Sequence, residues 1–426
     1  MLIDKLCVKR QIGNVAEATT NGHKMAIKGG YIHQTFQGGY TLAPLGYLVC
    51  AKIENIIREE MNAIGGQEIL MPVVSGANLW IESGRYNKVD VLAKFKGRGG
   101  ADYVLNPTHE EVVVDFVKSV LETYRQLPFM VYQIQTKFRD ELRARAGLIR
   151  TREFRMKDAY SFHETQKDLE DYYQKCLQTY YKIFKRIGLK KVIDVQSDNG
   201  DMGGNISHEF MLINEIGEDT IYTCECGFRA NKETIKDKDG LCPHCHKPLQ
   251  ESRGIEIGNI FQLGDKYSKS MNLTYTAADG TTKNPIMGCY GIGIGRSFAS
   301  LLEESSDEHG PVFNMATAPF EVEVIGLPDK TEQSFSIAKE LYEKLKAEKV
   351  NVLLDAREAR AGEKFADADL IAAPVRIIVS GKNIENNVLE VKYRVNNKDT
   401  PDYPHELPIE NPIPTIKAII KDLKQE

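Results

Sequence analysis

Residues 136–162 read TKFRDELRARAGLIRTREFRMKDAYSF. From Lys137 to Lys157 there are eight basic and three acidic residues, in a chain whose formal net charge is −5. The positive charge is therefore local. It is interleaved with apolar residues at strand-like spacing: Phe138, Leu148, Phe154 and Met156. This pattern predicts a strand, a long arginine-rich loop and a return strand. Arginines leaning off a sheet suit a polyphosphate, because each guanidinium is a planar, permanently charged fork that can bind phosphate bidentately. A solvated basic hairpin is the plainer alternative. Two other segments bear on the choice.

The first is Asn106-Pro107-Thr108-His109-Glu110-Glu111, which follows the apolar run Tyr103-Val104-Leu105. It predicts a helix over 112–121, with Thr108 as N-cap and Glu111 at the capping-box position. The second is PIMGCYGIGIGR at 285–296, read as an apolar strand, a glycine-rich turn and a helix over 297–304. Gly291, Gly293 and Gly295 permit close backbone approach, and Arg296 at the helix start favours an anion. A dinucleotide-binding motif needs a third glycine three residues after Gly293, and that position is Arg296.

Taken together, the segments resemble the class II aminoacyl-tRNA synthetases, and in detail the bacterial-type prolyl-tRNA synthetase family. FRDELRARAGLIRTREF is similar to that family's motif 2, and MGCYGIGIGR to its motif 3. NPTHEE resembles the loop that holds the amino acid. Residues 48–65 followed by QEILMPVV resemble motif 1, a long helix and strand at the dimer interface. SHEFM (207–211), RGIEIGNIFQLGDKYS (253–268) and GEKFADADLIAAP (362–374) match family segments in order. The resemblance runs from about Leu2 to about Val395.

It implies an α+β architecture: a class II antiparallel sheet flanked by helices over 1–315, and a C-terminal α/β anticodon-binding domain with its tail over 316–426. The implied activity is ATP-dependent ligation of proline to tRNA(Pro) through a prolyl-adenylate. It further implies a homodimer, with ATP and Mg²⁺ as cofactors and tRNA(Pro) and L-proline as partners. By the same resemblance Arg139 contacts the α-phosphate and the amino-acid carboxylate. Arg150 and Arg296 hold the outer phosphates, Phe154 stacks on adenine and Glu141 helps fix the adenine loop. Arg139 and Arg296 are the two residues assigned to catalysis. Thr108 and Glu110 bind the substrate ammonium. Met156, Asp158, Tyr160, Phe162 and Cys289 form the proline pocket, with His208 and Glu209 on a strand lining the same cavity. Arg357, Arg360, Lys364 and Phe365 are the candidates for anticodon contact.

The chain also departs from the family pattern. A large editing domain commonly joins the segments matching TCECGFRAN and RGIEIGNIF; here a short link over 220–252 takes its place. The implied enzyme does not clear alanyl-tRNA in cis. Asn259 stands where relatives commonly have histidine, and Ala146 where they commonly have phenylalanine. The link holds Cys224-Glu-Cys226 and Cys242-Pro-His-Cys245-His. Two cysteine pairs about 15 residues apart approach a zinc-ribbon layout. Structural Zn²⁺ on Cys224, Cys226, Cys242 and Cys245 is one reading, reduced free thiols are the other, and His244 or His246 could replace one thiolate.

Composition is consistent with this reading. The chain has 426 residues, 55 Lys plus Arg and 60 Asp plus Glu, so contact with nucleic acid must come from local patches. No segment approaches the roughly 20 apolar residues of a membrane span. The N-terminal residues lack the apolar core of a signal peptide, and eight cysteines without one point to a reducing cytoplasm. A 3.6-residue stripe through Leu169, Tyr173, Cys176, Tyr180, Phe184 and Ile187 predicts a core helix over 169–187. After Pro319 strands and helices alternate: strands EVEVIGL, NVLLD, VRIIVSG and VLEVKYR, helices over 332–346 and 365–371, then a proline-rich tail from Pro401 ending in a helix over 414–423. Three rivals share parts of the pattern. They are a class II enzyme for threonine or glycine, a synthetase-derived paralogue with a non-tRNA acceptor, and an RNA-binding regulator with a dead site.

Overall fold

The computed structural model describes residues 1–8, 10–11, 13, 15–198, 200–204, 206–235, 240–394 and 403–424. Val395 and Pro401, the expected ends of the resemblance and of the α/β pattern, lie outside them. The chain divides into two compact units. One comprises Phe36–Gly39 and Glu54–Ser300; the other comprises Met1–Thr35, Tyr40–Ile53 and Leu301–Glu426.

The first unit is built on a nine-stranded sheet. In chain order its strands are β1 (Gly66–Glu68), β2 (Phe129–Phe138), β3 (Glu153–His163), β4 (Val192–Gln196), β5 (Ile206–Ile213), β6 (Asp219–Thr223), β7 (Arg229–Asn231), β8 (Gln250–Gly264) and β9 (Ile286–Gly293). Their spatial order is β5-β4-β7-β6-β8-β9-β3-β2-β1, and β5 also pairs with β8. The β2–β3, β3–β9, β9–β8 and β8–β5 ladders that make its centre are all antiparallel.

One face of this sheet is covered by the helix Gln166–Ile187. Thr165 caps its first turn by accepting from the Asp168 N–H at 3.2 Å, and Gly188 ends it at φ 104°, a conformation that favours glycine. The predicted stripe is the buried one: Leu169, Tyr173, Cys176, Tyr180, Phe184 and Ile187 are all buried. Burying a large apolar side chain contributes about 1.5–3 kcal/mol, so this stripe fixes the helix on the sheet. Strand alternation sends Lys157 and Tyr290 to the helix side, where Lys157 Nζ donates to the Tyr180 hydroxyl at 2.6 Å. The opposite face is left for the site.

Two boundaries differ from expectation. The helix expected at 112–121 is Glu110–Lys118; His109 is its N-cap residue and no side chain caps it. Thr108 is therefore not the cap, and Glu111 turns into the core, where it binds Arg85. The expected glycine turn at 291–295 is also absent. β9 runs through Gly293, the helix Ile294–Ser305 follows directly, and none of the three glycines has a positive φ.

The second unit carries a five-stranded sheet in the order Val352–Asp355, Val322–Gly326, Val375–Val379, Val388–Tyr393, Glu406–Pro408. The first three strands are parallel and the remaining pairings antiparallel. Helices Gln333–Ala347, Ala361–Ile371 and Ile413–Leu423 accompany it. Among the described residues no helix is long and apolar enough to cross a membrane.

Candidate active site

Residues directly opposed on antiparallel strands share a face. Gln133 opposes Asp158 and Gln135 opposes Met156 on β2 and β3. Cys289 opposes Tyr160 and Gly291 opposes Asp158 on β9. Asn259 opposes Gly291 and Phe261 opposes Cys289 on β8. These residues form one floor. Gly291 leaves room at its centre: a Cβ there would stand 2.8 Å from Asn259 Oδ1 and push that side chain aside.

Over the floor lies a cavity of about 310 Å³, bounded by Thr108, Glu110, Arg139, Asp158, Tyr160 and Cys289. Past Arg139, Met156 and Asn259 it adjoins a narrower cleft of about 40 Å³ walled by Phe154, Arg150, Glu256 and Arg296. The structure thus puts the amino-acid and nucleotide candidates of the sequence side by side, with Arg139 lining both spaces.

At the first end the Thr108 hydroxyl donates to Glu110 Oε2. Arg85 stands 3.7 Å from that carboxylate and 3.0 Å from Glu111, and is itself nearly buried between the Trp80 and Tyr267 rings. At the junction, Arg139 Nε donates to the Pro107 carbonyl at 3.3 Å, and its guanidinium lies 5.1 Å from the Phe154 centroid. Burial, with the nearby charge of Arg296, lowers the pKa of Arg139. An anion in the cleft relieves both penalties. Arg150 is held by Glu141 at 2.8 Å and Glu218 at 3.3 Å. Arg296 donates to the carbonyls of Ile149 (2.9 Å) and Glu256 (2.8 Å) and to the Glu256 carboxylate (3.0 Å). All three arginines are aimed by carbonyls or carboxylates, so none must be ordered when a ligand arrives.

Three expected site residues are placed elsewhere. Phe162 is fully buried and stacks on Phe129, 5.1 Å between centroids; it belongs to the core next to the cavity rather than to its wall. His208 opposes Ile260 and shares a 2.8 Å hydrogen bond with the Tyr173 hydroxyl of the covering helix, so it points to the other face of the sheet. Its neighbour Glu209 opposes Asn259 and takes the site side. Burial, with Glu256 adding repulsion, pushes the Glu209 pKa up to about 8. In the second unit Lys364 is fully buried, with Nζ donating to the Gly326 carbonyl at 2.6 Å, and it is not available to RNA. Arg357 is held by Asp355 and Asp367, each at 2.7 Å. Arg360 is exposed, and Phe365 is half-buried with Lys392 over its ring at 5.1 Å.

The sequence reading passed over Arg85, Lys137, Gln133 and Glu218. Period-two alternation through Gln133, Gln135, Lys137 and Arg139 would have marked the two on β2. Nothing local marks Arg85 or Glu218, whose partners are distant in sequence.

The four link cysteines converge. Their sulfurs all lie within 4.8 Å of one another, with Cys224–Cys245 at 3.4 Å and Cys226–Cys242 at 3.5 Å. Four thiolates at about 2.3 Å from a tetrahedral zinc would be about 3.8 Å apart, whereas a disulfide requires about 2.05 Å. The residues fit the metal. Among the described residues no histidine joins the set, and His244 lies against Phe228.

A sheet of this topology, with arginines converging on one antiparallel face, defines a class II synthetase core. Residues 94–305 match the model of the tRNA synthetase class II core domain (G, H, P, S and T), and 321–419 match the anticodon binding domain. The chain belongs to the proline–tRNA ligase family. It is 42% identical over 397 residues to the proline–tRNA ligase of Wolbachia sp. subsp. Brugia malayi (strain TRS), covering 90% of this chain and 93% of that one. The enzyme of Halothermothrix orenii (strain H 168 / OCM 544 / DSM 9562) is 32% identical, over 96% of this chain and 97% of its own. That alignment spans 559 positions, more than the 426 residues here, so this relative carries insertions that the chain lacks. In fold, the chain is similar to the crystal structure of prolyl-tRNA synthetase from Cryptosporidium parvum complexed with L-proline and AMP. The TM-score is 0.74 at 18% identity, over 95% of this chain and 78% of that one.

Proposed function

We propose that the chain activates L-proline with ATP, with Mg²⁺ accompanying the nucleotide, and transfers it to tRNA(Pro). One observation carries this reading: the cavity holding Thr108 and Glu110 adjoins the cleft holding Phe154, Arg150 and Arg296, with Arg139 at the junction. Glu110, with Thr108 beside it, takes the substrate ammonium in a charge-assisted hydrogen bond. Met156, Asp158, Tyr160 and Cys289 bound the ring. Arg139 lies against the substrate carboxylate and the α-phosphate, Phe154 stacks on adenine, and Glu141 keeps the loop and Arg150 in place. Arg150 and Arg296 take the outer phosphates.

A carboxylate oxygen of proline attacks the α-phosphorus. The bond from that phosphorus to the bridging oxygen breaks, and pyrophosphate leaves with the electron pair. No protein nucleophile is needed, so the protein contributes position and fixed positive charge. A terminal ribose hydroxyl of tRNA then attacks the carbonyl carbon, and AMP departs. The catalytic domain is assigned to 1–315 and the anticodon-binding domain to 316–426, where Arg360 and Phe365 are the remaining candidates for base contact. The chain is read as a cytoplasmic homodimer without cis editing; exposed Leu70 and Val74, in the segment resembling motif 1, support the dimer.

The test is amino-acid-dependent ATP–pyrophosphate exchange across all twenty amino acids, followed by charging of tRNA. Strong exchange with proline and transfer to tRNA(Pro) are expected. Exchange without transfer would favour the paralogue with another acceptor, and no exchange would defeat the reading.

The cysteine cluster is assigned structural Zn²⁺, held by Cys224, Cys226, Cys242 and Cys245. Four thiolate ligands close the site, so the ion has a folding role only. Metal analysis of the purified chain is expected to give one zinc per chain, and Cys242→Ser to abolish it. Metal-free protein with titratable thiols and an unchanged Tm would reject the assignment.

A further inference from the structure

We infer that Lys137 and His109 are a positioning pair that fixes the distance between the ammonium-binding and carboxylate-binding ends of the amino-acid pocket. This inference rests on the proposed proline site. Lys137 lies on β2 with its side chain fully buried under the 106–109 loop, and nothing in the adenylation chemistry uses it.

Its ammonium reaches two groups. Nζ is 2.7 Å from Asp158 Oδ1, an ion pair, and 2.6 Å from His109 Nδ1. His109 Nε2 is 2.9 Å from the Pro72 carbonyl. A carbonyl only accepts, so Nε2 carries the proton and Nδ1 is left with a lone pair facing the lysine. The ring is therefore neutral. Burial and the adjacent lysine agree with this, lowering the His109 pKa to about 4.

The remaining contacts close a circuit. The backbone N–H of His109 donates to the Tyr160 hydroxyl at 3.1 Å, and that hydroxyl donates to Asp158 Oδ2 at 2.8 Å. Gln133 Nε2 donates to the same oxygen at 3.0 Å. Lys137, His109, Tyr160 and Asp158 thus form a closed ring, and all four are buried.

Its geometric consequence lies on either side of His109. Thr108 and Glu110, the ammonium ligands, are its immediate neighbours. Pro107, one residue further, offers its carbonyl to Arg139 Nε at 3.3 Å. Both ends of a bound α-amino acid are referred to one rigid element, and Lys137 is the cation that holds it from within the ring. The nucleotide groups Phe154, Arg150 and Arg296 are not members of this circuit. Arg139 also faces the α-phosphate but touches the circuit only through the Pro107 carbonyl. A positioning role therefore falls far more on proline than on ATP, whereas a purely structural role would not separate the two.

The experiment is ATP–pyrophosphate exchange with the full chain, varying proline and ATP separately, with thermal unfolding of each variant alongside. Lys137→Met is expected to raise the KM for proline at least tenfold while the KM for ATP stays within twofold. His109→Leu is expected to do the same. His109→Gln, whose amide can both accept from the lysine and donate to Pro72, is expected to stay within threefold of wild type. A folded Lys137→Met or His109→Leu protein with an unmoved proline KM overturns the inference, as does an equal rise for ATP. Loss of folding in both variants also overturns it, leaving the ring a stability element. Absence of proline-dependent exchange in the wild type would instead defeat the underlying reading.

Discussion

The arginine-rich hairpin in the first unit and the Arg357–Phe365 segment in the other unit are alike as strings of residues. Each sets basic residues around a phenylalanine. In space they differ. Arg139, Arg150 and Arg296 converge on a cavity and a cleft with room for a ligand. Arg357 and Lys364 instead converge on Asp355, which is fully buried and lies beside both. Positive charge serves a ligand where the protein has left space for the ligand beside it, even when carboxylates such as Glu141 and Glu256 help to aim it. That distinction depends on residues far away in sequence.

The largest expected effect comes from removing the arginine shared by both spaces. Arg139→Ala takes away a cation aimed at the carboxylate and the α-phosphate together. A loss of at least about a thousandfold in kcat/KM for exchange, about 4 kcal/mol of transition-state stabilisation, is expected. The unfolding transition should hold, because what Arg139 gives up is a 3.3 Å hydrogen bond to the backbone and a contact with the Phe154 ring. A variant that exchanges within tenfold of wild type would break the comparison, since the hairpin would then be no more functional than the Arg357–Phe365 segment.

That segment is sharpened by a pair of substitutions. Lys364→Met leaves Asp355 with Arg357 alone and strips the Gly326 carbonyl of its donor, and an unsatisfied buried polar group costs about 1–3 kcal/mol. The expected outcome is a lower Tm with no specific loss of tRNA affinity. Exposed Arg360 should behave in the opposite way. Arg360→Ala is expected to leave Tm and proline-dependent exchange unchanged while lowering kcat/KM for tRNA about fivefold, roughly 1 kcal/mol. Native stability of Lys364→Met with weakened charging would show that the buried lysine reaches RNA after all.

How much of this was legible beforehand follows from the same contrast. The covering helix Gln166–Ile187 was readable because its stripe needs only local periodicity. The hairpin was readable because charge and alternation are both short-range. The glycines at 291–295 were read as a turn, yet they lie along β9 and into the next helix, where they keep a floor flat; strand partners decide that. Thr108 looked like a cap by local spacing, and Glu110 drew its hydroxyl away. His208 was assigned to the wrong face because strand parity depends on register, and register depends on β8. Arg85, Glu218 and the burial of Lys364 carry no local signal.

An effect that should come and go with pH tests whether the second unit contains an anion that no cation answers. Glu323 lies in the middle of the Val322–Gly326 strand, directly opposite Arg376 and fully buried. Arg376 gives its terminal nitrogens to Asp369 and to the Ala368 carbonyl, and among the described residues neither oxygen of Glu323 has a hydrogen-bond partner. Burial therefore pushes its pKa up to about 8; Arg376 opposes the shift and Asp355 adds to it. An unfolded glutamate titrates near 4.3. Between these values the folded chain holds a proton that the unfolded chain has released, so raising the pH costs stability across that window, and the loss is complete once the pH exceeds the folded-state value. Glu323→Gln keeps the shape and cannot ionise. It should raise Tm at pH 8, with a gain in stability of as much as several kcal/mol if the full separation of the two values is realised, and the gain should vanish as the pH is lowered to about 4. A gain independent of pH would point to packing instead. A loss at pH 8 would mean that the carboxylate is ionised and paired, making this strand resemble the arginine cleft more than the contrast allows.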